Sequence, residues 1–476
     1  MHPKPDRASW LAAPAGKTRA FLREPLAPTT VANLVIMVCA ALAGVVSARA
    51  LGPAGRGQLA IAVLWSALIH LLGSTGLHSS FSYHLALWPD RRAALATWLR
   101  RVARRQAAAM TAAAAGILWW LHIRLGLSAL LTAEYTTWAA GGTIALYGAA
   151  YAQGCQDFAR MNAIRLLSGA APAVLMLAEA AVLRLTPAEA GAAYLVPTWC
   201  AAALAWLWLR RMSRVATMLR LAPGEIRMVW SYGWRSLAGL SSLMLNNSSD
   251  QIALGLLVPA SSLGLYTVAA SASSPLPYLL ASLGMVGLPT VTALTGPAKA
   301  AATRRALRRA VTMLGLTALP LAAVLPWAIP MAYGRQYSAA VLPAEILLSG
   351  AVFAALASVT DDLLRAYGHP GFVSITQGSG GAITVTGILL IAGHPLSTVA
   401  LISSLGFAVA LVLALRRLRA AVRRLSQGIE VADRLCDDGL PNADQRVGRN
   451  IRIHHAAAAD HSISSRCSGP ASDADT

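Results

Sequence analysis

About twelve apolar stretches, each long enough to carry a helix across a lipid bilayer, take up most of this chain. A run of about 20 apolar residues crosses the hydrocarbon core as a helix, because a helix satisfies its own backbone N–H and C=O groups. The runs lie near 29–50, 59–83, 107–123, 137–156, 164–184, 189–209, 234–257, 263–290, 310–332, 339–364, 371–392 and 395–415. Only 13% of residues are charged, against about a quarter in a soluble domain. The expected fold class is therefore an all-α integral membrane protein.

The net charge of +20 suggests nucleic acid only where it forms one basic face. Here the arginines sit in short clusters between apolar runs, so no nucleic-acid partner is expected. The clusters alternate along the chain. One set of connections carries Lys17, Arg19 and Arg23; Arg91, Arg92, Arg100, Arg101, Arg104 and Arg105; Arg160 and Arg165; Arg210 to Arg227; Lys299 to Arg309; Arg365; and Arg416 to Arg424. The opposite set offers Arg56, Arg124, Arg184 and Arg335. By the excess of basic residues on the cytoplasmic side, both termini are predicted to be cytoplasmic. Trp119, Trp120, Trp138, Trp206, Trp208, Trp230 and Trp327 fall near span ends and suit an interfacial aromatic belt.

Leu95, Trp98, Leu99 and Val102 recur at helical spacing opposite Arg100, Arg101 and Arg104, which predicts a helix lying in the cytoplasmic headgroup region. Leu415, Leu418, Val422 and Leu425 make a similar stripe after the last span. From about 427 the chain turns polar and loses apolar periodicity, predicting a disordered tail. The five cysteines, Cys39, Cys155, Cys200, Cys436 and Cys467, have no metal-ligand spacing, and neither do His70, His78 and His84. No cofactor is expected.

The chain repeats itself. Arg100-Arg101-Val102-Ala103-Arg104-Arg105 returns as Arg304-Arg305-Ala306-Leu307-Arg308-Arg309, and Leu51-Gly52-Pro53-Ala54 as Leu257-Val258-Pro259-Ala260. Two echoes at nearly one offset point to two related halves in tandem, the trace of a transporter built from parallel repeats. The expected organisation is a basic N-terminal segment (1–28), a six-helix bundle (29–209), a cytoplasmic linker (210–233), a second six-helix bundle (234–415), and a basic helix with tail (416–476).

Three motifs then carry a resemblance. Ser47-Ala48-Arg49-Ala50-Leu51-Gly52-Pro53-Ala54-Gly55-Arg56-Gly57 resembles the first-loop motif of bacterial polysaccharide exporters, the oligosaccharide-flippase family of the MATE-like superfamily. Asp250-Gln251-Ile252-Ala253-Leu254-Gly255 followed by Leu263-Gly264-Leu265-Tyr266 looks like that family's D-x-x-x-L-G … L-G-x-Y signature, and Tyr333-Gly334-Arg335-Gln336-Tyr337 is a third match. The resemblance covers roughly 28–415. It implies two six-helix bundles flanking a central cavity and working by alternating access in the bacterial inner membrane. It also implies an undecaprenyl-pyrophosphate-linked oligosaccharide as substrate, moved outward, and by analogy a polysaccharide polymerase or chain-length regulator as partner.

Charged side chains at membrane depth are costly unless paired or facing water, so each is a candidate. Asp250, beside Asn246 and Asn247 in the seventh span, suits a cavity cation, sugar hydroxyls, or a coupling proton or Na⁺; an interhelical packing contact is the alternative. Glu179, inside the fifth span, is a second ion-coupling candidate. Asn33 and Gln377 are cavity candidates or plain helix–helix hydrogen bonds. For a pyrophosphate the planar fork of arginine is suited, and Arg49, Arg56, Arg235 and Arg365 are best placed. Arg365 has Asp361 and Asp362 within a turn as partners. Gly378, Gly380 and Gly381 suit close helix contact or bending, and Pro275 and Pro277 interrupt the eighth span.

A MATE-type drug exporter shares this fold but calls for an acidic or aromatic cavity for organic cations. Lipid II flippases usually have two further helices. An integral-membrane glycosyltransferase needs a large outer loop or domain bearing catalytic carboxylates or histidines, and the outer loops here are short. The expected function is a flippase rather than an enzyme.

Overall fold

The computed structural model describes residues 26–182, 184–214, 221–276, 280, 291, 294, 296–367, 369–391 and 395–437. Among them every regular element is helical. In chain order these are α1 (Leu26–Gly73), α2 (Leu77–Leu87), α3 (Arg92–Leu125), α4 (Ala129–Gly154), α5 (Phe158–Gly169), α6 (Ala171–Val182) and α7 (Pro187–Arg214) in the first half. The second half holds α8 (Pro223–Leu257), α9 (Ala260–Ser273), α10 (Gly296–Tyr333), α11 (Val341–Ala366), α12 (Pro370–Leu390) and α13 (Leu396–Asp437).

Local chemistry sets the helix ends. Asp157 caps α5 by accepting from the Arg160 N–H at 3.1 Å. Thr186 and Glu189 form a reciprocal box at the start of α7, with the Thr186 N–H donating to Glu189 Oε2 at 2.6 Å and the Glu189 N–H to Thr186 Oγ1 at 3.4 Å. Gly126 closes α3 in the left-handed region (φ 66°), which glycine enters at little steric cost.

Eight helical stretches are long and apolar enough to cross a membrane, so the protein is a multi-pass membrane protein. The first, Pro28–Gly73, contains two of the expected spans, folded at Gly52 (φ 66°, ψ 178°) just before Pro53. The expected second span breaks again at Ser74–Gly76, with Thr75 at φ 49° and Gly76 at φ 65°, and resumes as α2. The fourth and seventh spans, α4 and α8, fall outside the eight. Thr, Tyr and Gly on the buried side of α4, and Asn246, Ser249 and Asp250 on that of α8, lower their average hydropathy. The eighth span ends as α9 at Ser273, two residues before Pro275; Pro277 and most of the remainder lie outside the described residues.

The headgroup helix expected from the stripe Leu95, Trp98, Leu99 and Val102 is corrected. This segment is the first part of α3, continuous with the third span, and its stripe faces protein. Leu95 and Leu99 are fully buried with Leu77, Phe81, Leu85, Tyr147 and Tyr151, and Trp98 meets Phe81 and Trp230 at ring-centroid distances of 5.7 and 6.0 Å. The periodicity was legible, but a lipid face and a protein face have the same apolar spacing. Likewise the stripe after the last span rides on α13, where Leu418 is buried and Val422 packs against the core. The tail expected to be disordered from about 427 begins within this helix, which reaches Asp437; residues 438–476 lie outside the described ones.

Trp119, Trp120 and Trp327, expected in an aromatic belt, are exposed. Trp138 instead packs inside the first half, stacked on Tyr135, and Trp208 is buried under Tyr151 and Arg160.

The two halves meet along α1 and α2. On one side of the membrane the turn at Pro53 packs on the start of α9: a Cβ on Gly57 would overlap the Ala260 carbonyl, and one on Gly264 the Pro53 carbonyl. Toward the other side the break at Thr75–Gly76 packs on α8, where a Cβ on Gly76 would overlap the Gly233 carbonyl, and Tyr83 stacks on Tyr232 with centroids 4.7 Å apart.

Candidate functional site

The polar residues of the second half form two buried hydrogen-bonded networks, which meet α8 one turn apart. Asp250 on α8 is 4% exposed. Its Oδ2 accepts from Tyr266 Oη of α9 at 2.6 Å and from Ser403 Oγ of α13 at 2.9 Å, while Oδ1 accepts from the Gln251 N–H at 2.8 Å. One turn earlier on α8, Asn246 Nδ2 donates to Gln377 Oε1 of α12 at 2.6 Å. Gln377 Nε2 in turn donates to Asp361 Oδ2 of α11 at 2.7 Å, and Thr376 Oγ1 reaches Asp361 Oδ1 at 3.4 Å. Five helices thus converge on two buried carboxylates.

Glycine makes this convergence possible. A Cβ on Gly380 would stand 2.6 Å from Asn246 Oδ1 and 2.8 Å from the Gly406 carbonyl, and one on Gly381 3.2 Å from the Asn246 nitrogen. The glycines of α12 therefore serve close contact with α8 and α13. Asn246 Oδ1 and Ser249 Oγ are buried without a hydrogen-bond partner, so this region retains capacity for a further ligand.

The first half holds a second polar group. Arg56 Nε, Glu134 Oε2, Tyr135 Oη and Glu179 Oε2 are all buried and lack hydrogen-bond partners. Tyr135 lies within electrostatic range of Glu134, Arg56 and Tyr194, and Glu134 within range of Glu179. A Cβ on Gly191 would stand 2.8 Å from Glu134 Oε2 and 3.2 Å from the Tyr135 ring, so the absence of a side chain there admits both. Nearby, His70 Nδ1 is 2.8 Å from Thr143 Oγ1, with Trp138 edge-on to its ring. Among the described residues no group of His, Cys, Asp and Glu is arranged to hold a metal ion.

Residues 46–342 match the family described as "Polysaccharide biosynthesis protein". The chain belongs to this family. No curated protein matches it. Among solved structures, it is similar to an inward-facing multidrug-resistance MATE transporter of the MOP superfamily, with TM-score 0.65 and 15% identity over 82% of this chain and 96% of that one. It is similar also to the lipid II flippase MurJ in an inward closed conformation, with TM-score 0.66 and 11% identity over 85% and 90%. A eukaryotic MATE transporter matches with TM-score 0.55 and 17% identity over 85% and 99%. At these identities the likeness is one of fold, and the fold is the two-bundle, MATE-like one that the motifs implied.

Within this family member the structure brings together only some of the residues singled out from sequence. Asn246 and Gln377 are bonded to each other and Asp250 lies one turn on in the neighbouring network, whereas Asn247 is exposed. Arg235 is also exposed, and its Nε donates to the Ser231 carbonyl of its own helix at 3.1 Å. Arg49 donates to the Met331 carbonyl at the end of α10, tying the two halves together. Arg56 lies inside, near Tyr135, Tyr333 and Tyr337, and Glu179, half-buried, lies within electrostatic range of Glu134. Asn33 accepts from Arg165 at 2.7 Å, a helix–helix contact. Arg365 pairs with Asp362 at 2.7 Å, which leaves Asp361 to Gln377.

Sequence reading missed Glu134, Tyr135, Asp361 and Ser403. The apolar run of the fourth span starts near 137, one turn too late to include Glu134, whereas α4 starts at Ala129. Asp361 was read as a partner for Arg365; the polar Thr376-Gln377 pair on the next span was the available signal that it turns inward.

Proposed function

We propose that this protein is a flippase that carries an undecaprenyl-pyrophosphate-linked oligosaccharide across the bacterial inner membrane for polysaccharide assembly. The observation that carries this reading is the polysaccharide-biosynthesis family match over residues 46–342, through the first half and into the second half of a MATE-like fold. In this reading the two bundles are 29–209 and 234–415, joined by the 210–233 segment on the cytoplasmic side, and both termini are cytoplasmic by the distribution of basic residues.

Transport by alternating access requires the halves to separate at one membrane face while meeting at the other. The two contact zones along α1 and α2 supply these faces. Pro53 and Gly57 meet Ala260 and Gly264 at the outer one, and Thr75, Gly76 and Tyr83 meet Gly233 and Tyr232 toward the inner one. Arg56, with its unpartnered Nε, is the best placed of the arginines to meet the pyrophosphate inside, with Arg49 and Arg235 at the two ends of the path. Asn246, Asn247 and Gln377 offer amide groups to sugar hydroxyls. Asp250 and Glu179 are the groups that take up and release a coupling proton or Na⁺. In this reading the protein makes and breaks no covalent bond in its substrate, and a polymerase or chain-length regulator receives the product.

The test is leaflet accessibility of the lipid-linked oligosaccharide in cells lacking this protein and redundant flippases. Cytoplasmic-face accumulation, relieved by wild type but not by well-expressed Arg56→Ala or Asp250→Asn, is the expected result. Normal outward exposure without the protein overturns the flippase reading and moves organic-cation export, the activity associated with the MATE-type fold, to first place.

A further inference from the structure

The duplicated arginine motif is built into the two halves differently. In the first half, Arg100 donates to Ser213 Oγ at 2.6 Å and lies over the Trp206 ring at 5.0 Å, so part of that motif is used internally. In the second half, Arg305, Arg308 and Arg309 line an open cavity of about 510 Å³ on α10, together with Thr312 and Met313. All three arginines are exposed, and none has an acidic partner among the described residues, whose ion pairs are Arg91–Glu225, Arg160–Asp157 and Arg365–Asp362. Three uncompensated guanidiniums around one cavity form a site for an anion with several oxygens, and phosphate fits their planar forks.

The rest of α10 identifies what carries the phosphate. Its inward face is fixed to α11: Lys299 donates to the Ala366 carbonyl at 2.9 Å, Thr303 meets Tyr367 Oη at 3.1 Å, and Ala310 and Leu314 are buried. The arginine face therefore points away from the bundle. Along that face, at alternating intervals of three and four residues, Arg305, Arg309 and Thr312 lead to Leu316 and Leu319, which are 71% and 74% exposed. At about 1.5 Å of rise per residue, the leucines begin roughly 10 Å below the guanidiniums. This is the layout of a phospholipid, with the headgroup at the arginines and an acyl chain along the leucines. The first half lacks the lower part, since the positions corresponding to Thr312, Leu316 and Leu319 are Ala108, Ala112 and Ala115.

We propose that Arg305, Arg308, Arg309 and Thr312 bind the phosphate headgroup of an anionic lipid whose chain lies along Leu316 and Leu319. The leaflet is the cytoplasmic one, an assignment that rests on the orientation given above. Bulk anionic phospholipid and the lipid-linked pyrophosphate of the transport reading share this chemistry. The site is thus a lipid site outside the interior networks, and its occupancy is read without any transport assay.

The experiment measures lipid retained by the purified full-length protein, by native mass spectrometry after reconstitution in phosphatidylethanolamine nanodiscs doped with phosphatidylglycerol or with undecaprenyl pyrophosphate. Wild type is expected to hold one tightly bound anionic lipid. The Arg305→Gln, Arg308→Gln, Arg309→Gln triple variant is expected to hold it roughly tenfold more weakly. Removing the same charge from the first half, with Arg101→Gln, Arg104→Gln and Arg105→Gln, leaves binding unchanged. A triple Arg→Lys variant keeps the basic residues that direct membrane insertion and still loses several-fold, because it loses the planar forks. Preference for phosphatidylglycerol assigns the site to membrane lipid, and preference for undecaprenyl pyrophosphate to substrate capture. Equal loss from the first-half variant, no loss from the second-half one, or competition by inorganic pyrophosphate as strong as by either lipid overturns the proposal.

Discussion

The carbonyl oxygen of Pro53 occupies the space that a side chain on Gly264 would need, and four residues after Pro53 and four before Gly264 the carbonyl of Ala260 does the same to Gly57. The contact is reciprocal, joining the turn after the first span to the equivalent turn after the seventh. The sequence echo of Leu51-Gly52-Pro53-Ala54 and Leu257-Val258-Pro259-Ala260 is thus a contact between repeats as well as a resemblance between them. Backbone-to-backbone approach of this kind needs glycine on both sides.

Gly264→Leu therefore prevents the halves from closing at this face. With Leu, overpacking costs about 1–3 kcal/mol in the closed state, enough to shift a closed–open equilibrium about 5- to 150-fold. Thiol labelling from outside at a cysteine placed at Ala54, in a background lacking the native cysteines, is expected to rise while transport falls. Gly315→Leu, where nothing lies within 4 Å, serves as the control and leaves both unchanged. Unaltered labelling in Gly264→Leu removes the role of this contact as a gate.

Asp250 is held by two hydroxyls from two other helices, and removing either exposes the cost of a buried carboxylate. Tyr266→Phe is expected to lower stability in detergent by about 0.6–1.7 kcal/mol, the range for hydrogen bonds between membrane helices. Asp250→Asn combined with Tyr266→Phe should lose less than the sum of the two, because the pair is in direct contact. Strict additivity in the double-mutant cycle contradicts the bond.

The Asn246–Gln377–Asp361 chain is more sensitive at its middle than at its ends. Gln377→Leu leaves both an Asn246 donor and the Asp361 carboxylate without their partner. It is expected to destabilise the fold more than Asn246→Ala, by about 1–3 kcal/mol for the extra unsatisfied group. Melting temperatures of the two variants, compared in one detergent, check the order.

These two networks mark the limit of what the sequence made legible. The spans were readable because a membrane helix announces itself by length and hydropathy alone, and the kink at Gly52 and the polar run Asn246–Asp250 were visible as interruptions of that pattern. Partnership was not. Ser403 and Tyr266 are ordinary polar residues in apolar spans until folding sets them against Asp250. The burial of Leu95 and Leu99 escaped notice for a related reason: protein and headgroup surfaces both select an apolar stripe, and only the packing of α2 and α4 against α3 distinguishes them.

Glu134 and Glu179 supply the sharpest test of ion coupling. Each has a buried carboxylate oxygen without a hydrogen-bond partner, and each lies within electrostatic range of the other. In the transport reading, two like charges within range of each other make this pair a candidate carrier of the coupling proton. Glu134→Gln is therefore expected to flatten the pH dependence of transport in vesicles and to lower its rate under an imposed proton gradient about tenfold or more. Glu179→Gln should behave alike, and the double variant should add little to either, since both sides of the pair serve one titration. If both single variants keep the wild-type pH profile, coupling does not pass through the first bundle; a profile flattened by Asp250→Asn in the same assay assigns it to the second.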